Sequence, residues 1–202
     1  LDYSTIMQIK NKVKMFFVPY GLGNHLKSWG VNQESITELN WGESTNSNGI
    51  EFVCLPARHF SGRGPLNRNS TLWCSWAIKS EHGKIYFSGD SGYGNHFKTI
   101  GEMHGPFDLS FIDCGQYNVA WKYSHMIPEE AVRASKDLES DYFMPIHWGA
   151  FTLSTHPWEE PVIRAINHAK KANQKIIAPK LGQIILLGDN IDTKIIDWWN
   201  SY

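Results

Sequence analysis

The hydrophobic positions of this chain follow two periods in turn. Short apolar runs rich in β-branched and aromatic residues fall at Met15–Val18, Glu51–Leu55, Leu72–Ile78, Lys84–Ser88, Asp108–Ile112, Tyr142–Ile146 and Gln183–Leu187, and these read as strands. Between them lie stretches with helical signals: Ser4–Lys12 after a Ser/Thr cap, Leu22–Trp29, Gly94–His104, Pro128–Leu138 and Trp158–Ala172. Pro128 suits a first helical position, and Glu129 and Glu130 suit the positive end of the helix dipole. Val162, Ile163, Ile166 and Ala169 recur at helical spacing, so one face of the last helix should pack on a sheet. Interleaved strands and helices predict an α/β (α+β) layered domain. Two long loops, Ala57–Thr71 and Gly115–Met126, are left over, and long loops in a compact domain tend to carry function.

With 202 residues, 42% of them hydrophobic, the chain can bury one sizeable core, so a single domain, 1–202, is expected. Charge is nearly balanced, 19 basic against 20 acidic residues, with no block of one sign. That composition excludes an evident nucleic-acid footprint and favours a small-molecule or lipid substrate. Cys54, Cys74 and Cys114 are too few and too far apart for a zinc ribbon or a disulfide scaffold, and read as reduced, mostly buried thiols. No apolar run approaches the ~20 residues of a membrane span; the expected location is cytoplasmic or peripheral to a membrane.

Chemistry concentrates at strand ends. Glu51–Pro56 leads to His59, Ile85–Gly89 to Asp90, and Phe143–Ile146 to His147. Taken singly, each has a plain structural reading: a histidine after a strand is commonly a surface or hydrogen-bonded residue, and Asp90 sits in a Gly-Asp-Ser-Gly turn. Imidazole and carboxylate are nevertheless ordinary ligands of zinc and its neighbours, and strand ends on one sheet edge would bring them together.

Four motifs extend this reading: Tyr86-Phe87-Ser88-Gly89-Asp90-Ser91-Gly92-Tyr93, Gly105-Pro106-Phe107-Asp108-Leu109, His125 to Val132, and Ile146-His147-Trp148-Gly149. In that order and spacing they resemble the branch of the metallo-β-lactamase superfamily that contains the N-acylphosphatidylethanolamine-hydrolysing phospholipases D. The match is close from about Trp73 to Arg164 and looser elsewhere.

The resemblance implies an αββα sandwich in which His59 binds one zinc, His147 a second, and Asp90 bridges the two. It implies a phosphodiesterase that attacks a phospholipid or other small phosphodiester with a hydroxide bridging two Zn2+ ions. A functional histidine is implied at His125, where it could donate to a substrate oxygen or protonate a leaving group. Tyr117, Trp121 and Tyr123 are expected at the pocket mouth, holding apolar parts of the substrate, with ordinary packing as the alternative. Arg58 and Arg63 flank His59 and make a weaker case for phosphate contact.

One departure is serious. The branch's His-x-His-x-Asp-His motif is absent, and the resemblance implies that the chain starts just after it, without the N-terminal strands of the sandwich and with poor activity on its own. Two rival readings remain: a lactonase-like hydrolase of a sugar-phosphate cyclic ester, or a non-catalytic fragment that keeps the shape. The C-terminal residues Ile191 to Tyr202, with Ile195, Ile196, Trp198 and Trp199, are expected to dock on the protein's own surface, with contact to a membrane interface as the alternative.

Overall fold

The computed structural model describes residues 1–151, 153–188, 191 and 197–201. Strand β1 (Phe16–Pro19) pairs in parallel with β2 (Ile36–Leu39) in a small sheet. The main sheet runs β3 (Ser44–Ser47), β4 (Ile50–Leu55), β5 (Ser75–Ser80), β6 (Gly83–Phe87), β7 (Phe107–Asp113), β8 (Ser140–Ile146) and β9 (Lys175–Ile176), in chain order across the sheet. Pairing is antiparallel from β3 to β6 and parallel from β6 to β9. The helices are α1 (Tyr3–Ile9), α2 (Gly23–Ser28), α3 (His96–His104), α4 (Pro128–Asp137) and α5 (Glu160–Ala172).

Helix α4 starts as its sequence demands, with Pro128 in the first turn and the Glu130 carboxylate accepting from the Ile127 N–H at 3.3 Å. Helix α1 corrects an expectation. Its cap is Asp2, whose carboxylate accepts from Thr5 N at 2.6 Å, rather than a Ser or Thr. Most expected boundaries of these elements hold to within about two residues, the start of β5 and the end of α1 lying further off, but β2, β3 and β9 carry too little apolar periodicity to stand out in the sequence.

Register explains the layers. Val53, Ala77, Tyr86, Ser110 and Phe143 form one cross-strand row, all at most 2% exposed, and share the core with Phe97 and Ile100 of α3, Val132 of α4 and Ala165 and Ala169 of α5. The neighbouring row, Cys54, Trp76, Phe87, Phe111 and Met144, points to the opposite face and is also apolar. A sheet apolar on both faces calls for cover on both.

Cover of the second face is partial. Phe17 stacks on Phe52 at 4.8 Å at one end, and at the other Ile185, Leu187 and Ile191 pack against Leu109, Tyr142 and Ile177. Between them Phe87 is 40% exposed. The run Gln183–Leu187, expected as a strand, lies on this sheet face, Ile185 and Leu187 inward and Ile184 and Leu186 outward, and among the described residues it pairs with no strand. Trp198 and Trp199 are buried against Trp148 and Ala178, docked on the protein's own surface. Ile195, Ile196 and Tyr202 lie outside the described residues.

The two faces should respond differently to truncation. Phe143→Ala, in the fully buried row, is expected to cost about 3–5 kcal/mol, while Phe87→Ala should cost about 2 kcal/mol or less and reduce binding of an apolar dye such as ANS. Urea unfolding and ANS titration check this; equal destabilisation, or no dye binding by the wild type, would show the second face to be closed.

Candidate metal centre

Two reversals of direction, from β4 to β5 and from β5 to β6, leave β4, β6, β7 and β8 pointing the same way. Their C-terminal ends consequently share one sheet edge, and His59, Asp90, Asp113 and His147 all sit at or just beyond it. His125 joins them from the loop between β7 and α4, held three residues before Pro128.

The anchor is Asp113, the last residue of β7 and fully buried. Its main-chain N–H donates to Ser88 Oγ at 2.9 Å, which ties β7 to the end of β6. Its Oδ2 accepts from His125 Nδ1 at 2.8 Å and from the Ser91 main-chain N–H at 3.2 Å, and its Oδ1 accepts from His147 Nδ1 at 3.1 Å. Burial by itself would raise this carboxyl, but the hydrogen bonds from His125 and His147 outweigh it and hold the group below the usual carboxylate range. The same hydrogen bond raises His147, against the opposing effect of burial.

Ser91 carries the connection onward. Its hydroxyl accepts from Arg58 N at 2.9 Å, and the Arg58 carbonyl accepts from Gly92 N at 2.9 Å, so the turn bearing Asp90 is fastened to the loop bearing His59. His59 Nδ1 lies 2.8 Å from the Phe60 carbonyl. A carbonyl and a carboxylate can only accept, so in each of these imidazoles Nδ1 is the donor and Nε2 is the nitrogen left for a further partner. Ligand atoms of His59, Asp90 and His125 lie within 4.8 Å of one another, and so do those of Asp113, His125 and His147. Ring centroids are 5.3 Å apart for His59 and His125 and 5.2 Å for His125 and His147.

These residues fit a metal of the zinc class. Imidazole nitrogens and one carboxylate converge, and their far nitrogens are already engaged, as ligating histidines require. Asp113 serves as the supporting carboxylate, since its oxygens are filled by three donors.

Local backbone is shaped for this convergence. His147 holds φ of +67°, a left-handed conformation that a histidine rarely adopts, and a Cβ on Gly115 would fall 1.7 Å from its carbonyl oxygen. Only glycine lets the β7 and β8 ends approach so closely.

A cavity of about 400 Å³ opens beside His59 and Asp90, with Leu22, Phe60, Arg63, Asn67 and Trp73 among its walls. Trp121 and Tyr123 are 39% and 58% exposed near His125, with the Trp121 ring 6.4 Å from the imidazole. Tyr117 departs from its expected place. It is 8% exposed, and its hydroxyl donates to Glu160 and accepts from Arg164 at 3.0 Å, so two side chains of α5 satisfy it inside the fold. Arg58 also turns away from any anion: its guanidinium donates to the Tyr93 carbonyl and lies over the Tyr123 ring. Asp113 is the residue that the sequence reading missed. The signal was present, since it too follows an apolar strand, one residue past the run Asp108–Ile112.

The described β-lactamase superfamily domain matches residues 1–148. The chain belongs to the metallo-β-lactamase superfamily. An uncharacterized protein of Mycobacterium tuberculosis is 44% identical over 203 residues, covering 98% of this chain and 54% of that protein. N-acyl-phosphatidylethanolamine-hydrolyzing phospholipase D 1 of Caenorhabditis elegans is 39% identical over 168 residues, 77% of this chain and 47% of that enzyme. The chain thus spans about half the length of these relatives. Igni18, a metallo hydrolase of Ignicoccus hospitalis, superposes with a TM-score of 0.69 at 18% identity, over 89% of this chain and 71% of that one, and shares the fold. Among the described residues no helix is long and apolar enough to cross a membrane.

The paired shifts set the pH response of the metal-free protein. Asp113 is depressed in the folded state, so its contribution is present above its unfolded value, ~3.9, and is lost as pH falls through the lower folded one. His147 is raised, so its contribution is complete below ~6.5 and fades as pH rises through the folded value. Stability should therefore be greatest between these limits, and Asp113→Ala should flatten both flanks. Denaturant midpoints across pH measure it; unchanged flanks in the variant would count against the assignment.

Proposed function

We propose that this chain carries the metal site of a zinc-dependent phosphodiesterase of the N-acylphosphatidylethanolamine phospholipase D type. The observation that carries the reading is the grouping of ligand atoms of His59, Asp90 and His125 within 4.8 Å of one another, with the His147 ring stacked 5.2 Å from that of His125. In it His59, Asp90 and His147 would be ligands in a site for two Zn2+ ions. Zinc bound there supplies Lewis acidity and brings the pKa of a bound water toward ~7.

His125 is the proton donor in this reading. With Nδ1–H given to Asp113, a second proton on Nε2 makes an imidazolium whose charge the buried carboxylate opposes, as in a triad. As the phosphorus–oxygen bond to the leaving group breaks, that proton passes to the departing oxygen. Trp121 and Tyr123, exposed beside His125, offer apolar area for acyl chains. A phospholipid, rather than a cyclic ester of a sugar phosphate, is supported by the identity to the C. elegans enzyme.

In active protein, Asp90→Asn and His147→Ala should abolish hydrolysis and lower zinc content, while His125→Ala should reduce turnover by about 10²–10⁴-fold with zinc retained. Released phosphatidic acid from an N-acylated phospholipid, measured beside opening of a sugar-phosphate lactone, tests the substrate. Lactone opening without phospholipid cleavage would overturn the phosphodiesterase reading, and equal zinc loss in all three variants would place His125 among the ligands.

The 202-residue chain alone should turn over poorly, because donors shared between two ions leave each with too few to hold it tightly. Turnover at the rate of a full-length relative would contradict this.

A further inference from the structure

Two histidines of the site have been given different roles, yet they hang from the same carboxylate. Asp113 Oδ1 accepts from His147 and Oδ2 from His125, at 3.1 and 2.8 Å, with the Ser91 N–H as the third donor. The side chain has no exposure to solvent, so no water competes for these oxygens. The two rings stack at 5.2 Å with 28° between their planes, so neither can turn over without disturbing the other.

We propose that Asp113 is a positioning residue that sets the tautomer of His125 and His147 together, keeping the proton of each neutral ring on Nδ1 and leaving both Nε2 atoms bare. An ionised carboxylate has acceptors and no donor, so an Nε2–H tautomer at either ring would bring a lone pair against a carboxylate oxygen. His59 is set separately, by the Phe60 carbonyl. Asp113 itself is fixed by its place at the end of β7, its N–H bound to Ser88 and its neighbour Cys114 N bound to the Ile146 carbonyl at 3.2 Å. The device therefore joins the ligand set and the proton donor through one group, a coupling that separate supports would not produce.

The inference uses the metal reading for its functional consequence but not for the tautomers themselves. Asp113→Asn is the discriminating change, for it preserves shape while replacing one acceptor oxygen by an NH2 donor. Because the Ser91 N–H needs an acceptor, the amide oxygen keeps the Oδ2 position and the NH2 faces His147, which must accept at Nδ1 and so carry its proton on Nε2, where it can no longer ligate.

Nitrogen NMR of the imidazoles in metal-free protein, at alkaline pH where both rings are neutral, should show Nδ1–H at His125 and His147 in the wild type. His147 should switch to Nε2–H in Asp113→Asn, with zinc affinity lower by about 10–100-fold. An Nε2–H tautomer at either ring of the wild type overturns the proposal even if the variant fails to fold. So does a folded variant that keeps both tautomers, or one that binds zinc as tightly as the wild type. Should the wild type show both Nδ1–H rings yet bind no zinc, the metal reading fails and the positioning role stands.

Discussion

The site rests on one buried anion. Moving a carboxylate out of water costs several kcal/mol even after relaxation, and a lone charge in an apolar interior would protonate rather than persist. Asp113 stays ionised because two imidazole N–H groups and a main-chain N–H surround it. Those three donors belong to the β6 turn, the loop before α4 and the end of β8, so the requirement to satisfy a single charge draws three otherwise separate segments to one point. Without that charge the hydrogen bonds that bring His125 and His147 to one point are lost.

A second network supports the loop from behind. Arg164 of α5 donates to Glu129 of α4 through two nitrogens at 3.0 and 2.7 Å and to Glu160 at 3.1 Å, and Tyr117 completes the group. Gln116 bridges to Phe151, Leu153 and Ser154, pinning the segment after His147 to the start of the same loop. Paired, bidentate charges of this sort specify geometry more than they add stability. The loop that carries His125 is thus clamped at its root and leaves Trp121 and Tyr123 at the exposed rim, which suits a group that must be rigid at the reacting end and accessible at the other.

The sheet carries the same logic at larger scale. Both of its faces are apolar, and helices α3, α4 and α5 close only one of them. The second is covered at its two ends by the β1 side and by the C-terminal residues, with Phe87 open between them. Chemistry and packing are separated along each strand: apolar rows hold the layers, and the first residues past the strand ends hold the site.

Much of this was legible in the chain itself. Apolar runs with period two and helical runs with period near 3.6 marked the main strands and all of the larger helices, because burial of one face leaves its period in the sequence. His59, Asp90 and His147 stood out for the same local reason, each being a metal-ligating type just past an apolar run. What the chain alone did not decide was everything that depends on partners distant in sequence. The alternation of Gln183–Leu187 marks one face for burial, but only the tertiary structure shows that this face meets Leu109, Tyr142 and Ile177. Tyr117 looks like any loop aromatic until α5 supplies Glu160 and Arg164. Asp113 is the clearest case: its residue type and its strand end are local facts, but its role exists only where His125 and His147, 12 and 34 residues away, meet its two oxygens, and that is a property of strand order and register.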